Sequence, residues 1–238
     1  MPPPSCLRRY SMKYKLFVVS TFFVIVLLVF FVYNYNSSNK CDSMSYLSYT
    51  TTHFSNENEL EAIIYSFDLQ TKKRLEIYRF PVSAMYALGV YDRSSNSVFY
   101  VKESDNNTFE RRHTGDQIYR YDLTNGTDTQ LTDDLLAVNH IFPTDRYVFF
   151  LAATMKNPNS LIVGRIDLSN DTVRYWDEPD TSSSRILSID RENERLYVAI
   201  YDTKEEEEAF YSDTGIVPTN TVYSYDYNLE DKRQICLL

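Results

Sequence analysis

The chain has 238 residues, enough for one domain of about 200 residues or for two smaller ones. Hydrophobic residues make up 43% of it and charged residues 24%, a composition that excludes an intrinsically disordered protein. The formal net charge of −9 argues against nucleic-acid binding, because a negative surface repels phosphate groups. The 21 tyrosines and 14 phenylalanines favour β-strands, where flat rings pack on a pleated face.

The first element in the chain is an apolar segment, 16–33, of 18 residues without a charge. As a helix it spans about 27 Å, close to the roughly 30 Å hydrocarbon core of a bilayer. We therefore predict a transmembrane signal-anchor helix at 16–33, between a cytoplasmic basic tail at 1–15 and a linker at 34–42. A cleaved secretory signal is the alternative, although the segment exceeds the usual length of about 7–15 residues. Whether the chain starts at Met1 or Met12 stays open.

The charges that flank this segment predict its orientation. Four basic residues and no acidic one precede it: Arg8, Arg9, Lys13 and Lys15. The positive-inside rule places the N-terminus in the cytoplasm and residues 43–238 outside it, as the domain of a single-pass protein of the cell membrane. Without those four residues, 20 Lys and Arg stand against 33 Asp and Glu, so the outer part carries a charge of −13.

The cysteines and the Asn-x-Ser/Thr triplets matter if the domain is extracytoplasmic. Cys6 lies in the basic tail, whereas Cys41 and Cys236 lie near the two ends of the outer part and form a disulfide candidate if that compartment is oxidising. Asn-x-Ser/Thr triplets are candidate glycosylation sites in a eukaryote, and in an Asn- and Thr-rich chain they also arise by chance. They begin at Asn36, Asn106, Asn125 and Asn170. Bacterial or eukaryotic origin stays open.

The outer part contains an internal repeat. An acidic residue closes an alternating apolar stretch four times, at intervals of 54, 45 and 59 residues: Asp68, Asp122, Asp167 and Asp226. A strand–turn–strand pattern recurs in phase with it, and its turn aspartates are 53 and 45 residues apart: Asp92, Asp145 and Asp190. Two landmarks that share one period predict a unit of four short antiparallel strands, the pattern of a propeller blade.

The middle unit shows the predicted strands most clearly. They are 137–142, 147–152, 160–168 and 172–176, with polar turns at 143–146 and 169–171. Asp and Asn in the turns cap their own backbone, and Asn-Gly at 125–126 predicts a two-residue hairpin. One such meander cannot bury both of its faces alone, so neighbouring units must stack.

The stretch "IYRYDLTNGTDTQLTDD" (118–134), followed by "FPTDRYVFFLA", resembles the TolB-type, WD-like β-propeller repeat. In that family a strand ends in Asp-Leu, a turn carries Gly, a Leu-Thr pair follows, and a Pro-containing turn precedes the next strand. The resemblance is best at 118–152, looser at 63–101 and 161–201, and half present at 221–238. It implies an all-β, propeller-like array of four-stranded blades. The turn "FPTDR" lacks Gly and "IDRENER" lacks Pro, so the subfamily stays open, and an irregular β-sandwich is the alternative.

Residues 43–238 hold about 3.5 to 4 blades, whereas propellers have about 4 to 8 and must close. The last repeat ends after a third strand and part of a fourth, at "KRQICLL". Three alternatives follow: a four-blade closure in which 43–53 completes the last blade, an assembly of open arcs, or a fragment of a longer protein. The fragment is slightly favoured because the C-terminus has no polar cap.

The sequence contains no recognisable catalytic pattern. Its three histidines, His53, His113 and His140, lie in different units without metal-ligand spacing. A Gly-x-Ser-x-Gly elbow, a phosphate-binding Gly loop, Cys-x-x-Cys and His-Glu-x-x-His are all absent. The Glu run in "KEEEEAF" (204–210) is interpreted as a solvated loop and not as a calcium site. We therefore predict no catalytic residue, no metal site, no cofactor and no enzyme activity.

Two long polar insertions, 103–116 and 202–220, connect the second strand of a unit to the third, where the middle unit has only "TMKNPN". Equivalent links emerge on one rim of a propeller, and such variable loops often carry function. Their aromatic and Arg residues are the candidate partner-binding residues, with purely solvated loops as the alternative. They are Phe109, Arg111, Arg112, Phe210 and Tyr211.

These observations predict a membrane-anchored, non-catalytic module that binds or scaffolds a protein partner at the cell envelope or surface. The alternative is the propeller portion of a longer serine hydrolase. The dipeptidyl-peptidase family resembles this layout, with a cytoplasmic tail, a signal anchor and a propeller ahead of a hydrolase domain, and here the hydrolase domain is absent.

Overall fold

The structure is a computed structural model that describes residues 46–56, 59–82, 87–103, 115–212 and 218–237. The predicted tail, membrane segment and linker, at 1–42, lie outside these residues. No helix among the described residues is long and apolar enough to cross a bilayer. The described parts of Ser48–Phe67 and Lys72–Leu238 form one compact unit.

The described chain forms fifteen β-strands and a helix, arranged as four sheets. Sheet 1 contains β1 (Tyr46–Asn56), β2 (Glu59–Asp68) and β3 (Arg74–Val82). Sheet 2 contains β4 (Gly89–Asp92), β5 (Ser97–Glu103), β6 (Asp116–Asp122) and β7 (Thr127–Gln130). Sheet 3 contains β8 (Leu135–Pro143), β9 (Tyr147–Thr154), β10 (Ile162–Asp167) and β11 (Thr172–Tyr175). Sheet 4 contains β12 (Ser182–Asp190), β13 (Arg195–Asp202), β14 (Thr221–Asp226) and β15 (Arg233–Leu237), with helix α1 (Thr203–Tyr211) between β13 and β14.

Sheets 2, 3 and 4 confirm the predicted repeat unit, because each is a meander of four strands in chain order with antiparallel neighbours. In sheet 3 the four predicted strands all form, with ends within two residues of the predicted bounds. The stretch that carries the resemblance best, 118–134, contains most of β6 and all of β7, the third and fourth strands of sheet 2.

The four sheets stack in series, and strand β9 shows why. All eight of its residues are buried. Because side chains alternate along a strand, Phe149 and Leu151 pack on sheet 4, whereas Val148 and Phe150 pack on sheet 2. A third core joins sheets 1 and 2. The alternative of a β-sandwich is wrong, because a sandwich sheet buries only one face.

The pairing of β1 corrects one expectation about closure. β1 is hydrogen-bonded to β2 in sheet 1, so the segment 46–53 does not complete the last blade. The last repeat is also more complete than expected, because β15 pairs with β14 as a fourth strand. Sheet 1 is the shorter sheet, with three strands among the residues that the structure describes.

The aspartates of the repeat hold the hairpin loops, as predicted. Asp122 accepts a hydrogen bond from the backbone N–H of Thr124 at 2.7 Å. The prediction of a two-residue hairpin loop at Asn125-Gly126 is wrong, because Asp122 pairs with Thr127 across a loop of four residues. Only Gly126 of the two has a positive φ, of 72°. The side chain of Asn125 instead accepts the N–H of Thr127 at 2.8 Å.

Candidate functional site

The links from second to third strands lie on one side of the stacked sheets, here called the loop rim. Its described residues are 115, 155–161, 203–212 and 218–220. The segment that enters β12 joins two of these links: Asn157 Nδ2 donates to Asp180 Oδ1 at 3.3 Å, and Thr203 N donates to Thr181 O at 2.8 Å. Most of the 103–116 insertion, with Phe109, Arg111 and Arg112, lies outside the described residues.

Helix α1 corrects the interpretation of the Glu run as a loop. Asp202 is the N-cap and accepts the backbone N–H groups of Lys204 and Glu205 at 2.8 and 3.3 Å. Glu205 and Glu206 lie in the first turn, where negative charge stabilises the helix dipole. A hydrogen bond from Thr181 lowers the pKa of the Asp202 carboxyl, so the cap stays ionised at neutral pH.

Helix α1 is held to the protein by few contacts. Arg185, on β12, forms an ion pair with Glu206, and its guanidinium lies 4.8 Å from the ring centroid of Tyr201. Together with the hydrogen bond between Thr203 and Thr181, these contacts hold the first half of the helix. No residue of the helix is buried. In the second half, Glu207, Glu208, Phe210 and Tyr211 are exposed.

Phe210 and Tyr211 are the most exposed large hydrophobic residues that the structure describes. Their exposed fractions are 82% and 79%. The two rings meet edge to face, with centroids 5.2 Å apart. Aromatic side chains as exposed as these keep a large apolar surface in contact with water. Exposed apolar surface of this kind marks sites of interaction. Two of the five candidate partner-binding residues, which are consecutive in the chain, are thus exposed side by side.

The charge around this aromatic pair is negative. Four glutamates, 205–208, precede it on α1, and the last turn of the helix has no basic residue. Glu206 is paired with Arg185, whereas Glu205, Glu207 and Glu208 are exposed. A negative surface with an apolar centre is complementary to a partner that presents Lys or Arg around an apolar contact.

The other predicted positions are divided between described and undescribed parts of the chain. Asn125 and Asn170 are exposed, in the β6–β7 and β10–β11 hairpin loops, so both triplets are accessible. The side chain of Cys236 is exposed on β15. Asn36, Asn106 and Cys41 lie outside the described residues. Glycosylation and the Cys41–Cys236 disulfide therefore stay predictions.

Several titratable residues of the described chain make contacts that hold the sheets together. No group of three or more His, Cys, Asp or Glu that could hold a metal ion occurs among the described residues. Burial, and then a hydrogen bond to a carboxylate, raises the pKa of three tyrosine hydroxyls. Tyr100 donates to Asp128, Tyr175 donates to Asp134, and Tyr225 donates to Glu178. A raised pKa keeps a hydroxyl protonated, so these groups cross-link strands and links. These pairs were not predictable from the sequence, since the two partners are 28 to 47 residues apart in the chain.

Comparisons with known proteins give a fold but no family. No family model and no curated protein matches the sequence. Among solved structures, the chain is similar to the β-propeller domain of the Trilobed protease from Pyrococcus furiosus, described as an open velcro topology, at 10% identity and a TM-score of 0.51. That match covers 81% of this chain and 54% of that chain.

Two further solved structures match at lower scores. The tricorn protease matches at 9% identity and a TM-score of 0.49, over 80% of this chain and 17% of that chain. Dipeptidyl peptidase 4 of Porphyromonas gingivalis matches at 8% identity and a TM-score of 0.49, over 81% and 31%. This chain thus spans about half, or less, of each of these chains. Its stacked four-stranded meanders have a propeller-type fold.

Proposed function

We propose that the chain is a single-pass, membrane-anchored, non-catalytic module that binds a protein partner outside the cytoplasm through the loop rim. The observation that carries the proposal is the exposure of Phe210 and Tyr211 at the end of an acidic helix. Aromatic residues are enriched among binding hot spots, and two adjacent ones supply a large contact area. The apolar segment 16–33 and the basic residues before it support the membrane anchor.

The partner in this proposal carries a basic surface around an apolar contact. Exposed glutamates on α1 attract such a surface at long range and raise the rate of association. The aromatic pair then supplies most of the affinity, because its area leaves water on binding. We also propose that the repeat is of the TolB type, on the resemblance at 118–152, and that this repeat is the scaffold of the binding surface.

Site-specific photo-cross-linking tests the binding site. A photoreactive phenylalanine analogue replaces Phe210 in the full chain, in membranes of the source cell. A matched control places it at Phe54 on β1, which is 61% exposed. We expect position 210 to give a discrete cross-linked protein that position 54 does not give. Identical products, or none, from both positions would contradict the proposal.

A second candidate is the propeller portion of a longer, dipeptidyl-peptidase-like serine hydrolase. The order of basic tail, apolar segment and propeller-type sheets favours it, and one solved structure of similar fold is the propeller domain of a protease. In that case the present chain has no hydrolase activity of its own. Sequencing the transcript beyond the codon of Leu238 tests it: a continuing frame with a hydrolase nucleophile supports this candidate, and an immediate stop codon excludes it.

A further inference from the structure

Tyr211 differs from the other tyrosines of the described chain. Its exposed fraction is 79%, whereas every other tyrosine within the described ranges is buried or half-buried. The hydroxyls of Tyr100, Tyr175 and Tyr225 donate to carboxylates and are engaged inside the protein. The ring of Tyr211 contacts only one face of the neighbouring Phe210 ring, at its edge. An enzyme that modifies tyrosine therefore has access to the hydroxyl of Tyr211.

The segment that carries Tyr211 can leave its helical conformation at a small cost. Helix α1 has nine residues and buries none of them, and helices of this length are marginal in water without tertiary packing. Its contacts with the sheets are made by Thr203 and Glu206, in the first half. At the other end, the backbone N–H of Ser212 donates to the carbonyl of Glu208 at 2.9 Å. Opening the last turn therefore disturbs no core, and Tyr211 can enter a cleft on an extended segment.

The charge before Tyr211 has one sign. Four glutamates, 205–208, precede it by three to six residues, and the last turn of α1 has no basic residue. Glu206 is paired with Arg185, whereas the other three glutamates are exposed. An enzyme with basic residues around its cleft would bind this segment in preference to neutral ones. Exposure, a helix end that can open and an acidic context thus coincide at one hydroxyl.

We propose that Tyr211 is a site of tyrosine O-sulfation. The inference rests on the proposed function, in which this domain lies outside the cytoplasm. The sulfate donor is a nucleotide whose phosphate is joined to sulfate as a mixed anhydride, and a sulfotransferase holds it. The phenol oxygen of Tyr211 attacks the sulfur, so an O–S bond forms and the bond between sulfur and the phosphate oxygen breaks. The phenol proton passes to a base of the transferase, and nothing is oxidised or reduced.

Phosphorylation of the same hydroxyl is the related modification, and the proposed topology favours sulfate. Kinases that use ATP act mainly in the cytoplasm, whereas sulfate is transferred to tyrosines of proteins that pass through the secretory pathway. The basic residues before the apolar segment 16–33 place α1 on the secretory side in our proposal. A phosphate at Tyr211 is therefore an outcome that contradicts the inference.

A sulfate at Tyr211 would act on the binding site in two ways. It adds a negative charge at the C-terminus of α1, next to glutamates, where the helix dipole and like charges both disfavour it. The last turn would therefore open more often. The sulfate also supplies acceptor oxygens for Lys or Arg, and charge-assisted hydrogen bonds of this type are strong. Sulfation therefore strengthens the attraction for the basic partner proposed above.

Mass spectrometry of the full chain, purified from membranes of the source cell, tests the modification. Trypsin releases Tyr211 in the peptide 205–232, between Lys204 and Lys232. We expect a form of this peptide that is heavier by one SO₃ group, loses that group on activation and resists phosphatase. Tyr211→Phe should abolish it. The matched control is Tyr223→Phe, a half-buried tyrosine of the same peptide, and it should keep the heavier form.

A second pair of variants tests the acidic context. Glu207→Gln/Glu208→Gln should lower the sulfated fraction at least about threefold, because it removes charge that a basic cleft recognises. Glu192→Gln/Glu194→Gln, in the exposed β12–β13 loop, is the control and should leave the fraction unchanged. An unmodified peptide, a phosphatase-sensitive one, or an equal loss in both double variants would overturn the inference.

The outcomes separate this inference from the proposed function. A cross-linked protein at position 210 with an unmodified Tyr211 would overturn sulfation and leave the binding site intact. Sulfate at Tyr211 without any cross-linked protein would support sulfation and contradict the binding site. Where both are found, sulfated and unsulfated chains can be separated by anion exchange. The sulfated chain should bind the partner at least about threefold more tightly at low salt, and equal affinities would overturn the effect on binding.

Discussion

The last residue of each four-residue hairpin loop has a left-handed backbone. The φ angles are 46° at Asn96, 72° at Gly126, 54° at Asp171 and 50° at Glu194. The sequence offers a signal for the first three, since Asn, Gly and Asp are the residues that tolerate this conformation best. Glu194 offers none. Its φ results from the pairing of Asp190 with Arg195, which fixes the loop length.

Glu194→Gly should therefore stabilise the protein, by about 0.5–1 kcal/mol, because glycine adopts a positive φ without steric cost. Glu192→Gly, in the same loop but without a positive φ, is the matched control and should be neutral or destabilising. Urea denaturation of both variants measures the free energy of unfolding. A loss of stability in Glu194→Gly equal to that of the control would contradict the assigned strain.

The lowered pKa values of three aspartates predict how the stability of the protein depends on pH. Hydrogen bonds from Ser169, Asn193 and Thr181 lower the pKa of Asp167, Asp190 and Asp202, respectively. A pKa below the unfolded value of about 3.9 contributes stability at higher pH, and this contribution is lost as the pH falls through the folded pKa. We expect the free energy of unfolding to fall steeply below about pH 4.

Denaturation in urea at pH 7, 5, 4 and 3 measures this loss. The variant with all three aspartates changed to asparagine keeps an acceptor oxygen at each site but cannot titrate there. Its free energy of unfolding should fall less between pH 5 and 3 than that of the wild type. Parallel curves for the two proteins would contradict the role of these carboxylates.

At the scale of elements, helix α1 shows where sequence reasoning was incomplete. Asp202 followed by Glu205 is a recognisable N-cap with an acidic first turn. The segment was nevertheless expected to be a loop, because a helix without buried residues has no apolar periodicity. Strands such as β9 and β10 were predictable for the opposite reason: most of their residues are buried, so runs of apolar residues are visible in the sequence.

The close packing of β9 on β10 gives a prediction for an element interior. A methyl group at Gly164 on β10 would overlap the ring of Phe150, its cross-strand partner on β9. Gly164→Ala should destabilise the protein by about 1–3 kcal/mol through overpacking. Combining it with Phe150→Leu, which vacates the space, should cost less than the sum of the two single changes. Additive costs in urea denaturation would show that the two residues do not compete for space.

At the scale of the whole molecule, the period of the repeat predicted the four-stranded units and their stacking. Turn aspartates and the alternation of apolar residues are local features, so they can be recognised in the sequence. The partner of β1 was not predictable, because its choice between β2 and the last sheet depends on contacts distant in the chain. The loop rim was predicted from the unequal lengths of equivalent links. The helical form of 203–211, which exposes Phe210 and Tyr211, was not.

We propose that this exposed aromatic pair carries the affinity for a protein partner. The direct measurement is the dissociation constant between the full chain and the protein captured by cross-linking at position 210. The double variant Phe210→Ala/Tyr211→Ala should weaken binding by at least about 30-fold, as expected for loss of a hot spot. Phe54→Ala, at the other phenylalanine that is exposed in the described part of the chain, should stay within about twofold of the wild type. Equal affinity of the double variant and the wild type would contradict the claim.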